Sequence, residues 1–356
     1  MKKRFVAALL VSAMAVSLAA CGSSSDSEST TSESSSESTS EAAEETSSGE
    51  DYNILMIVKH TDEHFLRVMA GAQAYADEYD NISVEFYSPT SESDYDGQMN
   101  AIETSLNTDE YDALIIAPLQ STTVANLVEG TEKTIIALDT DFDSDYKVAY
   151  VGTGNEEATY EGGAAAAQMA IENGSESPTA VIITGPQGDE THDARLTGYT
   201  NGVEDNGGEV VDVQYCNNDP EKVTTAMEAI IEKYPEGVDI IMGTGDVSSV
   251  AAVKAIQDSG NENYDDTIVV GFDGTQEAVE LVQEGSIGLE VAQLGYDMGY
   301  LAMEAAVADL EGEEVDSVID SGCELLTVDD VDDYIAEMEE KGAWDLDTDE
   351  EEETEE

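Results

Sequence analysis

Apolar residues along this chain gather in short runs, many of them β-branched. Between the runs lie longer stretches in which apolar positions recur three and four residues apart. The short runs read as buried strands and the longer stretches as amphipathic helices. In the first half the strands are Asn53–Val58, Ile82–Tyr87, Ala113–Ala117, Thr134–Leu138 and Val148–Val151. Helices are expected near Phe65–Tyr79, Tyr95–Leu106, Thr122–Glu129 and Glu156–Ile171. The second half repeats the scheme with strands Ala180–Thr184, Glu209–Gln214, Asp239–Met242 and Thr267–Val270, and helices near Ala194–Asn206, Pro220–Tyr234 and Val247–Asp258. Asp219-Pro220 is a helix start, with an N-cap acid followed by proline in the first turn. A strand at Ile287–Ala292, a helix near Met298–Asp309, a strand at Val315–Ile319 and a helix near Val328–Met338 complete the pattern. Regular strand–helix alternation predicts an α/β fold of parallel sheets covered by helices. The number of units suits two similar lobes better than one open sheet.

The ends break this pattern. Met1-Lys2-Lys3-Arg4 is a basic start and Phe5–Ala20 an apolar, small-residue run, so residues 1–20 read as a signal peptide. Leu18-Ala19-Ala20-Cys21 resembles the bacterial lipobox, which implies cleavage before Cys21 and a lipid on that residue. Residues 22–50 carry eight acids and neither a basic nor an aromatic residue, so 21–51 is expected to be a disordered, acidic Ser/Glu tether. Asp345–Glu356 carries nine acids and no base, and 343–356 is expected to be a solvated tail.

Charge narrows the function. The 356 residues include 12 basic and 81 acidic ones, a formal net charge of -69. Nucleic-acid binding, which needs clustered Lys and Arg, is excluded. Cys216 and Cys323 remain in the folded part, with no CxxC and no Cys/His spacing for zinc. Asp139, Asp141, Asp143 and Asp145 alternate as in a calcium loop, but Ser144 and Tyr150 replace the required glycine and closing glutamate, so no metal site is expected. Gly152-Thr153-Gly154 lacks the third glycine of a dinucleotide fingerprint. There is no GxSxG and no phosphate-binding GxxxxGK[ST], and the chain is not expected to be an enzyme.

In an open parallel sheet, ligands bind beyond the carboxyl ends of the strands. Thr267–Gly274, TIVVGFDG, delivers Asp273 to such an end. Five more segments fit the same scheme: VAQLGYDMG at 291–299, ALDTD at 137–141, ARLTGYTNG at 194–202, GTGD at 243–246 and VGTGNEEATYEGG at 151–163. In this order and spacing they resemble the ribose-binding branch of the periplasmic sugar-binding proteins over about residues 52–342.

The resemblance implies the type 1 periplasmic binding protein fold: two Rossmann-like lobes with parallel sheets, joined by three crossovers. Lobe one would hold 52–152 plus 294–321, and lobe two 153–293 plus 322–342. It also implies a site. Phe65 would stack on a sugar face, Asp139 and Asp273 would accept from hydroxyls, and Arg195 and Gln293 would donate, with Asn218 beside them. Glu63 stands where the ribose pattern has Asn, Thr140 where it has Arg, Gly245 where it has Asn and Leu66 where it has a second aromatic. A hexose, pentose or polyol other than ribose is expected, and Glu63 also admits an amine-bearing solute. His60 and His64 flank the same loop and either touch ligand or are solvated. The implied protein is a lipid-anchored, monomeric solute receptor on the extracytoplasmic face of the cell membrane, which delivers its solute to an ABC transporter permease. The alternative is a sensor that presents ligand to a chemoreceptor or histidine kinase.

Overall fold

A computed structural model describes residues 51–91 and 93–344. The expectations for the signal peptide, Cys21, the tether and the acidic tail beyond Trp344 fall outside these residues. Two six-stranded sheets form the framework. The first contains β1 (Tyr52–Ile57), β2 (Ile82–Tyr87), β3 (Ala113–Ile116), β4 (Thr134–Leu138), β5 (Ala149–Gly152) and β11 (Val318–Asp320), in the order β11-β5-β4-β3-β1-β2. The second contains β6 (Thr179–Thr184), β7 (Glu209–Tyr215), β8 (Ile240–Gly243), β9 (Ile268–Asp273), β10 (Leu289–Gln293) and β12 (Cys323–Leu326), in the order β12-β10-β9-β8-β6-β7. All pairings are parallel except β10 with β12. The chain passes between the sheets three times: after β5, after β10 and between β11 and β12.

Helices cover both faces of each sheet, as the near-continuous apolar strands require. In the first lobe, α1 (Glu63–Asp77) and α9 (Gly295–Leu310) pack on one face, and α2 (Tyr95–Leu106) and α3 (Ser121–Leu127) on the other. The second lobe has α4 (Asn155–Glu172) and α5 (Glu190–Asp205) on one face. Its other face carries α6 (Pro220–Lys233), α7 (Asp246–Ser259), α8 (Gln276–Gln283) and α10 (Val331–Glu340). Small residues set how closely the helix pairs approach. A Cβ on Gly299 of α9 would lie 1.8 Å from the Val68 carbonyl oxygen of α1, and one on Gly198 of α5 would lie 2.2 Å from the Glu156 oxygen of α4.

The elements depart from the sequence pattern where caps and pairing override periodicity. α1 begins at Glu63 because the Asp62 side chain accepts from the Phe65 amide, and α5 begins at Glu190 because Asp189 caps the His192 amide. Helix α8 and strand β12 were not anticipated. α8 has only eight residues, and β12 is defined by antiparallel pairing with β10 rather than by its own apolar pattern. The packed chain also runs past the boundary expected at 342: Ala343 is fully buried and the Trp344 ring meets Tyr334 edge-on. Cys216 is buried and Cys323 half-buried, and both are free thiols. No helix among the described residues is long and apolar enough to cross a membrane.

Candidate functional site

The carboxyl ends of β1 and β4 bring together one polar cluster. Asp139 follows β4 with φ of 59°, a conformation that costs a non-glycine residue free energy and is held here by neighbours. Its amide donates to the Val151 oxygen at 2.9 Å, and the Tyr150 hydroxyl donates to its carbonyl at 3.0 Å. Lys59, just beyond β1, places Nζ 2.7 Å from Asp139 Oδ2 and 2.6 Å from Thr140 Oγ1. His64, in the first turn of α1, places Nε2 3.1 Å from Asp139 Oδ1. Burial opposes the Asp139 charge. The Lys59 ammonium and the His64 hydrogen bond outweigh it and hold the carboxyl far below its usual range. Burial likewise disfavours a charged His64, but the bond to Asp139 prevails and raises the imidazole above its ordinary value.

A second cluster lies at the ends of β8, β9 and β10. Asp273 ends β9, and its Oδ1 accepts from Gln293 Nε2 at 2.8 Å and from Arg195 Nη1 at 3.3 Å. Arg195 is 7% exposed, and its position is fixed on several sides. Nε donates to Asn155 Oδ1 at 2.7 Å, Nη1 to the Thr244 carbonyl at 2.9 Å, and the guanidinium lies 3.8 Å from the Phe272 ring centroid. His192, one helical turn before Arg195, contacts Thr244 Oγ1 through Nδ1 at 2.9 Å and accepts from Asn218 Nδ2 through Nε2 at 3.0 Å. Burial, then the nearby Arg195 charge, lowers its pKa, so His192 sits neutral. The clusters face one another across the gap between the sheets. Asp273 acts on the charge of His64, Lys59 on that of His192, and Arg195 on that of Tyr150.

Phe65 and Glu63, both expected at the site, are each held by neighbours within the protein. Phe65 is 3% exposed and belongs to the core beneath α1, with the His60 and His64 rings edge-on against it. The Lys59 ammonium stands 6.0 Å from the ring centroid, so Phe65 adjoins the Asp139 cluster while being closed off by its neighbours. Glu63 is not an added unpaired acid. It pairs with Arg67 on its own helix and accepts from the Gln276 amide at 2.7 Å, against the first turn of α8. Arg67 in turn donates to the Gly274 carbonyl. Glu63 and Arg67 therefore tie α1 to the segment after Asp273.

The structure sets Asp139 in the first cluster and Arg195, Asn218, Asp273 and Gln293 in the second. Sequence reasoning missed Lys59, His192, Thr244 and Asn155 there. Lys59 had a usable signal, a base directly after a strand in a chain with few bases. His192, three residues before Arg195 on one helix, carried another.

Comparisons with known proteins bear on the fold and the family. A family profile described as "Periplasmic binding protein domain" matches residues 54–314. The chain is 26% identical over 219 residues to the ribose import binding protein of Bacillus subtilis (strain 168), covering 61% of this chain and 68% of that one. It is 26% identical over 259 residues to the D-allose-binding periplasmic protein of Escherichia coli (strain K12), covering 70% and 81%. Among solved structures, an ABC transporter solute binding protein from Bacillus halodurans C-125 with bound myo-inositol superposes with a TM-score of 0.69 at 24% identity, covering 82% of this chain and 99% of that one. A periplasmic ribose ABC transporter protein from Conexibacter woesei DSM 14684 gives 0.71 at 21% identity, covering 81% and 95%. With its fold and most of its length matched, the chain belongs to the periplasmic binding protein domain family.

Proposed function

We propose that this protein is an extracytoplasmic solute receptor that captures a neutral monosaccharide or polyol between its lobes and passes it, unaltered, to an ABC importer. The reading rests most on one observation: each lobe presents a carboxylate already matched by a cation, Asp139 with Lys59 and Asp273 with Arg195. Such an acid accepts hydroxyl protons strongly without calling for a cationic ligand. Glu63, the residue that admitted an amine, is occupied by Arg67. Relatives named for ribose, allose and fructose import support the same class of solute.

In this reading, 52–152 plus 294–321 and 153–293 plus 322–342 move as two bodies about the three crossovers. A sugar touching both clusters binds the closed form better and shifts the population toward it. Lipid on Cys21 would tether the monomeric receptor to the membrane beside its permease. Removal of the leader leaves 9 basic residues against 81 acids, an excess that suits a freely soluble, self-repelling receptor head.

A thermal-shift screen tests the reading, with D-ribose, D-allose, D-arabinose, myo-inositol and D-glucosamine as probes. A probe at about 100 times its Kd stabilises the native state by about 2.7 kcal/mol. At least one neutral probe should raise the melting temperature, and Asp139→Asn and Asp273→Asn should each abolish the rise. A response to glucosamine alone would refute the neutral-ligand reading.

A further inference from the structure

The turn that carries Asp273 is held from beneath by two buried carboxyl groups to which the binding mechanism gives no role. Asp246, at the start of α7, is 3% exposed, and Glu290, within β10, is fully buried. Asp246 Oδ1 accepts from the Phe272 amide at 3.0 Å, and its Oδ2 accepts from the Thr275 amide and hydroxyl, each at 2.8 Å. Glu290 Oε1 accepts from the Gly274 amide at 2.9 Å. The pair thus grips the backbone on both sides of Asp273, whose φ of 128° lies where a side chain is disfavoured.

The remaining oxygen of Glu290, Oε2, is buried and has no hydrogen-bond partner among the described residues. A Cβ on Gly271 would sit 1.8 Å from this oxygen and 2.9 Å from Asp246 Oδ1, so the two carboxyls converge over one α-carbon. Only glycine leaves room for that. The charged and titratable neighbours do not neutralise them. Arg195 of α5 is committed to Asp273, and Arg67 of α1 reaches the Gly274 carbonyl, the Tyr334 hydroxyl and Glu63. Tyr199 of α5 donates to the Gly271 carbonyl, and Tyr334 of α10 borders Gly274. Asp273 itself adds a third acid. Two buried carboxylates at such range cannot both stay ionised without a cation. Asp246 already accepts at both oxygens, whereas Glu290 has one empty, so the proton belongs on Glu290.

We infer that Asp246 and Glu290 are positioning residues for Asp273: an acid–carboxylate pair, with a single proton on Glu290 Oε2 donated to Asp246, fixes the 271–275 turn so that Asp273 faces the gap. The direction of the ionisation equilibria agrees. Burial, then the Asp246 charge, pushes Glu290 well above its ordinary value, and burial, then Asp273, pushes Asp246 up to about 7. A carboxyl whose native pKa is raised stabilises the fold least where it must ionise. Its cost therefore grows as pH climbs from the ordinary carboxylate range through the native value.

The inference deepens the proposed role of Asp273, but its test needs no sugar, so a failed ligand screen leaves it to be judged separately. Infrared spectra of the protein in D2O at pH 8, where Asp246 is ionised, should show an un-ionised carboxyl that Glu290→Gln lacks. Glu290→Gln keeps an acceptor for Gly274 and a donor for Asp246. Its melting temperature should match or exceed that of the unmodified protein, with the excess widening from pH 6 to pH 9. Asp246→Asn sets an amide NH2 among four donors, the Phe272 and Thr275 amides and the Thr275 and Ser249 hydroxyls, and should lower the melting temperature more than Glu290→Gln does. Glu290→Leu should speed hydrogen exchange at the Gly274 amide. Absence of the un-ionised carboxyl from the unmodified protein, or its persistence in Glu290→Gln, overturns the inference. So does a gap that does not change with pH, an Asp246→Asn variant no worse than Glu290→Gln, or unchanged Gly274 exchange in Glu290→Leu.

Discussion

Replacing Lys59 with Met removes the main counter-charge of Asp139 while keeping an unbranched apolar stem of similar reach. Two contacts vanish, the 2.7 Å bond to Asp139 and the 2.6 Å bond to Thr140. Opposite charges about 4 Å apart attract by about 4 kcal/mol at an effective dielectric constant of 20. Stranding one member of a buried pair typically costs about 3–5 kcal/mol. Here the two side chains are 23% and 13% exposed, so water enters in part, and His64 remains on Asp139. These lower the expected cost to about 2–3 kcal/mol. At about 2–4 °C per kcal/mol, the melting temperature should fall by about 4–12 °C.

The pH dependence separates this mechanism from simple loss of packing. Asp139 is depressed in the native state, so its stabilisation is present above the ordinary carboxylate pKa and is lost as pH falls through the lower native value. Lys59→Met raises that native value. The gap between the variant and the unmodified protein should then hold from pH 7 down to the ordinary carboxylate range and narrow only below about pH 4. Urea unfolding at several pH values measures it without adding salt that would screen the pair. A cost below about 0.5 kcal/mol at pH 7, or a gap independent of pH, would show that Lys59 does not carry the Asp139 charge.

Three other perturbations follow from the same geometry. Phe65→Ala empties core volume beneath α1 and should cost about 3–5 kcal/mol in urea unfolding, with the affinity for any probe that scores in the thermal screen little changed; loss of affinity with intact stability would restore the stacking role. Arg195→Lys loses the Nε bond to Asn155 and the plane against Phe272, and charged hydrogen bonds are each worth about 1.5–3 kcal/mol, so affinity by calorimetry should fall at least about tenfold. His64 has a raised native pKa, so its charged form stabilises the fold below its ordinary value near 6.5, and this contribution is lost as pH rises through the native value. A His64→Gln variant should lack that decline in pH-resolved melting curves.

The sequence by itself determined the alternation of strands and helices, the division into two lobes and the strand ends that carry Asp139 and Asp273. These follow from local apolar periodicity and from short turns, which each segment encodes on its own. It did not determine what each side chain does at those ends. Phe65 is enclosed by the core beneath α1 and by His60, His64 and Lys59, and Glu63 is occupied because Arg67 stands one turn later with Gln276 opposite. Strand β12 exists through pairing with β10, and the convergence of Asp246 and Glu290 over Gly271 joins residues from three separate elements. Such features depend on distances between segments far apart in the chain, and only the packed tertiary structure sets those distances.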